Sequence, residues 1–178
     1  MMKVVAVIGY SGVGKTTLIE HVIRNFKNRG IRVSCVKHTH HEVNTDLPGK
    51  DTWRMQQSGC FEVALVSDRY LSVQRRFEQN FEMSVHQVLA NLYEGVDWVF
   101  VEGFKSSDIL KIEVVNGKHP GQDLICASDD FVAALICSPP LAANIDSNLP
   151  KLPLDQPDDV ADWLITHQDR FVYSVPLP

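Results

Sequence analysis

No apolar run in this 178-residue chain reaches the roughly 18 residues that a membrane-spanning helix requires. None of the four cysteines, Cys35, Cys60, Cys126 and Cys137, belongs to a CxxC pair. A disulfide framework is therefore not expected, and a cysteine in apolar, strand-like surroundings acts as a small hydrophobe. Positive charge is scarce as well. Seventeen Lys and Arg face 22 Asp and Glu, for a net charge of −5, so the electrostatic footprint of nonspecific nucleic-acid binding is missing and only a local basic site is allowed. Internal repeats, low-complexity tracts and linkers are absent. The opening MMKVVAVIGYSG places a lysine before an apolar stretch, as a secretion signal does, but the stretch is short and leads straight into GVGKTT. It reads as a buried strand, and a cytoplasmic protein with neither membrane nor nucleic-acid partners is expected.

What is present is the composition of a globular protein, 44% hydrophobic and 22% charged. The length fits one α/β domain, and a two-lobed variant is also compatible. Residues 4–8 read as a buried strand and 16–29 as a helix with Leu18, Ile19, Val22, Ile23 and Phe26 on one face and Gly30 as its left-handed stop. Residues 31–36 then make a second strand and complete a βαβ unit. A short helix is expected over 50–57, an antiparallel hairpin over 61–67 and 70–76, and a helix capped by Ser84 that closes at Gly95. Further strands are expected at 97–101, 110–115 and 131–136, and a last helix opens at Pro157 with Val160, Trp163 and Leu164 inward. The predicted class is α/β, a mostly parallel twisted sheet flanked by helices with an additional antiparallel hairpin. Residues 1–172 are expected to form one domain and 173–178 a loosely held tail.

The segment GYSGVGKT fits G-x-x-x-x-G-K-[ST] at every fixed position, between a strand and a helix. Its glycines let consecutive amides converge on phosphate oxygens, and the helix that follows adds its positive end. Lys15 brings a point charge to the outer phosphates, and the Thr16 hydroxyl can enter the shell of a Mg²⁺ ion. The fold is thus P-loop NTPase-like, and the segment is expected to bind a nucleoside di- or triphosphate. A second motif, DWVFVEGFK, is an apolar strand ending in Glu102. Such carboxylates face Mg²⁺ directly or through water. Aspartate is usual there, and the longer glutamate is equally suited to a water-mediated or base-like role. Lys105 serves a phosphate or is a solvated loop lysine.

The third motif, VKHTHHEVNTDLPGKDTWR, follows the second strand, at the edge where ligands of open α/β sheets bind. Lys37, His38, His40, His41, Lys50 and Arg54 gather cationic and proton-carrying groups, and Asp46 and Asp51 add carboxylates. Three readings stand. The histidines bind a metal such as Zn²⁺, with Cys35, although the spacing resembles no common zinc site. Or Asp46 helps to place Mg²⁺ while Lys37, the histidines and Lys50 receive a second anionic ligand. Or the segment is a solvated loop.

With GYSGVGKTTL, VKHTHH, DLPGKDTWR with its following QSGC, and VEGFK in this order, the chain resembles the MobB-type molybdopterin-guanine dinucleotide biosynthesis adapter proteins across residues 3–105. FVAALICSPPL adds weaker support. The resemblance implies a homodimeric GTP-binding protein with weak GTPase activity. Its partners would be the molybdopterin guanylyltransferase that attaches GMP and the molybdoenzymes that receive the finished cofactor. By position, Gly9, Tyr10, Ser11, Gly12, Val13, Gly14, Lys15, Thr16 and Thr17 would hold the GTP phosphates. Thr16, Asp46 and Glu102 would be the Mg²⁺ set. Lys37, His38, His40, His41 and Lys50 would line the adjoining anionic site, with molybdopterin or its guanine dinucleotide as the candidate ligand. The chain departs from its relatives at Ile136-Cys137-Ser138, where they tend to carry Ala-Ser-Asp. An N-K-x-D guanine motif is also absent, so preference for guanine comes from the resemblance alone.

Hydrolysis needs in-line attack by water while cations hold the developing charge. Lys15 and Glu102 are the catalytic candidates at the loop, and Arg54 is the nearest substitute for an arginine finger, with His41 as a proton acceptor. No water-orienting glutamine stands on a switch-like loop, so a slow intrinsic rate is expected. A small-molecule kinase and a nickel or zinc metallochaperone GTPase are the alternative functions.

Overall fold

Strand β1 (Lys3–Ile8) is buried from Val4 onward, and its alternating side chains feed two separate cores. The computed structural model describes residues 1–41, 43, 45–92, 95–119 and 121–174. They form two compact units, residues 1–38 with 84 onward, and residues 39–83.

The first unit is built on a six-stranded sheet in the order β2-β5-β1-β6-β7-β8, with every neighbouring pair parallel. Its other strands are β2 (Val33–Lys37), β5 (Trp98–Glu102), β6 (Lys111–Val115), β7 (Val132–Cys137) and β8 (Lys151–Pro153). A parallel sheet covered on both faces needs near-continuous apolar strands, and β7 is buried along its whole length. On one face Val5, Val7, Trp98, Phe100 and Ile112 pack against α1 (Lys15–Asn28) and α5 (Pro157–Thr166). Leu18, Ile19, Val22 and Phe26 of α1 are buried there, at roughly 2 kcal/mol each as an upper bound. On the other face Val4, Ala6, Ile8, Val99 and Val101 meet Val85 and Leu89 of α3 (Val85–Ala90).

Ser84 caps α3 in a full capping box with Gln87. The helix stops at Ala90 and does not run on to Gly95: the N–H of Asn91 turns back to Val88 O and that of Leu92 to Leu89 O, and the Asn91 side chain donates to Gln87 O at 2.7 Å. Four elements went unpredicted, one of them the 3₁₀ turn Gln168–Phe171 after α5. A 3₁₀ turn, Ile125–Ala127, precedes β7. The short α4 (Pro139–Ala142) starts with two prolines and follows β7. β8 is a three-residue edge strand containing Pro153, and edge strands tolerate proline. Tyr173, the first residue of the expected tail, donates its N–H to Met2 O at 2.9 Å and holds His86 Nδ1 through its hydroxyl at 2.8 Å. Residues 175–178 lie outside the described residues. Among the described residues no helix is long and apolar enough to cross a membrane.

The second unit holds α2 (Asp51–Gln57) and the hairpin β3 (Glu62–Ser67) with β4 (Tyr70–Arg75), which pair antiparallel through Ser67 and Tyr70. Gln56 Nε2 donates to Gln74 Oε1 at 2.9 Å, and Arg75 Nε donates to Glu62 Oε2 at 2.7 Å.

Candidate functional site

All strands of the first unit point the same way, so the chain leaves β1, β2, β5, β6, β7 and β8 at one edge of the sheet. The loop after β1 carries the first motif. Gly9, Gly12 and Gly14 have φ of 138°, 73° and 105°, conformations that a Cβ resists. Gly14 opens α1 with no side-chain cap, so the first-turn amides of the helix are left to other acceptors. From inside the loop, Lys15 Nζ donates to Gly9 O at 3.2 Å and Tyr10 O at 2.7 Å. Burial lowers the pKa of this ammonium. Glu102 acts against that shift, and Lys105 and Lys37 add to it.

At the neighbouring strand end Glu102 accepts a hydrogen bond from Thr16 Oγ1 at 2.8 Å and pairs with Lys37 Nζ at 3.2 Å. The parallel register sets Lys37 opposite Glu102, and His38 N donates to Glu102 O at 2.9 Å. The turn that aims the carboxylate uses two left-handed residues, Gly103 at φ 102° and Phe104 at φ 50°. A Cβ on Gly103 would lie 3.0 Å from His38 Cβ. The Phe104 conformation is held by a ring stack on His38 with centroids 4.3 Å apart and by the hydroxyl of Ser107, which donates to Phe104 O at 2.7 Å. Lys105 lies over the Tyr10 ring, 5.0 Å from its centroid.

The structure thus brings together Lys15, Thr16, Lys37, His38 and Glu102. Thr16 Oγ1 and Glu102 Oε2 are hard oxygen donors in mutual contact, a donor pair that suits Mg²⁺. Asp46, His40, His41, Lys50 and Arg54 belong to the second unit. There Asp46 Oδ1 accepts the N–H of Leu47 at 2.8 Å, while Oδ2 is buried with no partner among the described residues. Such an oxygen fits a cation. His41 N donates to Thr39 Oγ1 at 3.1 Å, Lys50 precedes the first turn of α2, and Arg54 stands 4.0 Å from Asp51, both exposed. Among the described residues no three His, Cys, Asp or Glu side chains converge as a metal site. The Cys35 thiol is pushed up in pKa, first by burial and then by Glu102.

Two groups at this edge escaped the sequence reading. A cavity of about 390 Å³ lies beside the glycine-rich loop after β1, lined by Gly14, Thr17, Leu18, His21, Leu154, Asp155 and Pro157. Asp155 follows β8, a strand too short to be read from its sequence. The segment after β6 touches the loop through Asn116, Lys118 and His119. Its Gly- and Pro-bearing sequence NGKHPG was the available signal.

Residues 4–138 match the profile of the family described as Molybdopterin guanine dinucleotide synthesis protein B, MobB. The chain belongs to the MobB family. The matched span takes in the glycine-rich loop after β1, Glu102 and the segment after β6, and ends before β8. Among relatives, the molybdopterin-guanine dinucleotide biosynthesis adapter protein of Haemophilus influenzae is 34% identical over 92% of this chain and 88% of its own length. The protein of the same name from Escherichia coli is 31% identical over 93% of both chains. A crystal structure of a MobB homologue from Bacillus stearothermophilus superposes with a TM-score of 0.64 at 25% identity, covering 92% of this chain and 96% of that one. Bacillus subtilis MobB reaches 0.71 at 23% identity over 97% and 99%, a likeness of fold. The α/β architecture with its antiparallel hairpin is therefore that of MobB proteins.

Proposed function

We propose that this chain is a GTP-binding adapter in molybdopterin guanine dinucleotide biosynthesis with slow intrinsic GTP hydrolysis. The observation that carries the reading is the phosphate loop with Lys15 folded into it and the Thr16–Glu102 pair beside it. The adapter role is supported by relatives bearing that name over nine-tenths of the chain.

In this reading the loop amides and Lys15 hold the polyphosphate, and Thr16 and Glu102 provide the oxygens for Mg²⁺. When bound, that ion neutralises charge on the outer phosphate oxygens. Lys37 already neutralises Glu102 on its other oxygen. Lys37 and His38 of the first unit are the candidate groups there for an anionic pterin ligand. Partners are the guanylyltransferase and the molybdoenzymes.

The nucleoside is assigned to the cavity between α1 and the end of β8. Guanine presents a ring N–H and an exocyclic amine side by side, and one carboxylate can accept both. Adenine places an acceptor there and meets the Asp155 carboxylate with a repelled lone pair. Titration with GTP and ATP is expected to favour GTP. Asp155→Ala should cut that preference about tenfold or more, the worth of a charge-assisted hydrogen bond. Equal affinity of the wild-type chain for both nucleotides counts against guanine reading. Stoichiometric phosphate transfer to a small acceptor would point to a kinase.

The homodimer is proposed through the hairpin. Register places Ala64 opposite Val73 and Val66 opposite Leu71 on one face. Val66, Leu71 and Val73 are 70%, 66% and 51% exposed, and a two-stranded sheet leaves both edges unpaired. A second copy of the same face would bury this patch. Sedimentation should show a wild-type dimer and a monomeric Leu71→Asp variant. A wild-type monomer at all concentrations contradicts the assignment.

A further inference from the structure

The segment that follows β6 holds the phosphate loop from behind. β6 runs beside β1, and a Cβ on Gly9 would sit 2.5 Å from Val114 O, so loop and strand end are in close contact. Past the strand, His119 Nε2 bonds Ser11 O at 2.8 Å, and Lys118 Nζ donates to Gly12 O at 3.3 Å. Asn116 Nδ2 donates to the same oxygen at 3.5 Å. The loop answers through Tyr10, whose hydroxyl donates to Asp123 O at 3.0 Å and whose ring lies 5.4 Å from that of His119. The far end of the segment returns to its own strand. There the Glu113 carboxylate, only 1% exposed, accepts the N–H groups of Ile125 and Cys126 at 2.9 Å each.

Peptide geometry gives these contacts a direction. In a trans peptide the C=O and the next residue's N–H point opposite ways. The oxygens of Ser11 and Gly12 belong to the peptides that carry the N–H groups of Gly12 and Val13. A phosphate nest needs those N–H groups turned toward the anion, which turns their carbonyls outward, to where the segment after β6 meets them. A donor on each carbonyl fixes the plane of its peptide and polarises the N–H on the other side. The Lys118 ammonium adds a positive charge to the field at the nest.

We infer that Lys118 and His119 are positioning residues of the phosphate site: they clamp the Ser11 and Gly12 peptides from outside so that the amides face a polyphosphate. This rests on the nucleotide-binding reading above, which assigns no role to either residue. It assigns to the loop after β6 part of the affinity for phosphate itself, whichever base the nucleotide carries.

Inorganic pyrophosphate and GTP, each with Mg²⁺, are the probes, titrated calorimetrically into the full-length chain. Lys118→Ala and His119→Ala should each weaken both ligands about tenfold. Lys118→Arg should restore most of the loss, because a cation that donates to Gly12 O is regained. The salt dependence of pyrophosphate binding should be shallower in Lys118→Ala, as follows from losing a charge that acts on the ligand and not merely a packing contact. Lys118 is exposed, so its variant is expected to fold and decides the matter if His119→Ala does not. Affinities within twofold of wild type in Lys118→Ala, or an unchanged salt dependence, overturn the inference while leaving nucleotide binding intact. A wild-type chain that binds neither probe overturns both.

Discussion

Lys15→Ala is expected to weaken Mg-GTP binding by about 100-fold, with the thermal midpoint of the free protein nearly unchanged. The ammonium is partly buried and spends its hydrogen bonds on two loop carbonyls, Gly9 O and Tyr10 O. Part of its cost of burial is therefore already present before a ligand arrives, and an incoming polyphosphate meets a partly desolvated cation. A charge-assisted hydrogen bond in such a setting contributes about 3 kcal/mol, and each 1.4 kcal/mol is tenfold in affinity. Removing the side chain gives up two hydrogen bonds of a partly exposed ammonium and relieves its cost of burial, so folding has little to lose. Calorimetric titration against wild type reads the effect. Affinity within threefold of wild type would mean that the loop amides alone carry the phosphate, and would remove Lys15 from the site.

Gly9→Ala acts on the fold and the site together. The position has φ of 138°, outside the region that residues with a Cβ accept, and the new carbon would stand 2.5 Å from Val114 O and 3.2 Å from Val13 Cγ2. The first clash is with backbone of the adjoining strand, which cannot swing aside as a side chain can. Strain and overpacking together should cost about 3 kcal/mol or more and lower the thermal midpoint by roughly 6–12 °C. Nucleotide binding should fall with it, because the loop must lift from β6 to relieve the contact. Gly12→Ala is the useful contrast, since open space surrounds that position and only its φ of 73° resists the change. A thermal midpoint for Gly9→Ala within about 2 °C of wild type would show that the strand end yields more readily than its parallel pairing implies.

Much of this molecule could be read from its residues because local and long-range demands agree. The run 4–8 is apolar on both faces, as a central parallel strand must be, and the next residues supply glycine where φ is positive and lysine where the loop closes. Glu102 was legible for the same reason, a carboxylate ending a buried strand, and the structure shows what spacing could not: its two oxygens are shared between Thr16 and Lys37. Ser84 was legible as a cap, and the structure adds Gln87 as its reciprocal partner. The α3 end was misjudged because Asn91 can close a helix with its own side chain, with no need of the glycine further on. β8 has three residues, one of them proline, and carries no period to detect. Asp155 was invisible with it. The contacts of Lys118 and His119 depend on β6 lying next to β1, a neighbour relation that sequence order hides behind four intervening strands.

The account rests on the glycine-framed turn after β1 acting as a polyphosphate site. Calorimetric titration of the wild-type chain with GTP in the presence of Mg²⁺ tests this directly. Saturable binding of one nucleotide per chain, competed by inorganic pyrophosphate, is the predicted result. Heat of dilution alone at nucleotide concentrations up to about 1 mM, where even an affinity of about −4 kcal/mol would register, would contradict it.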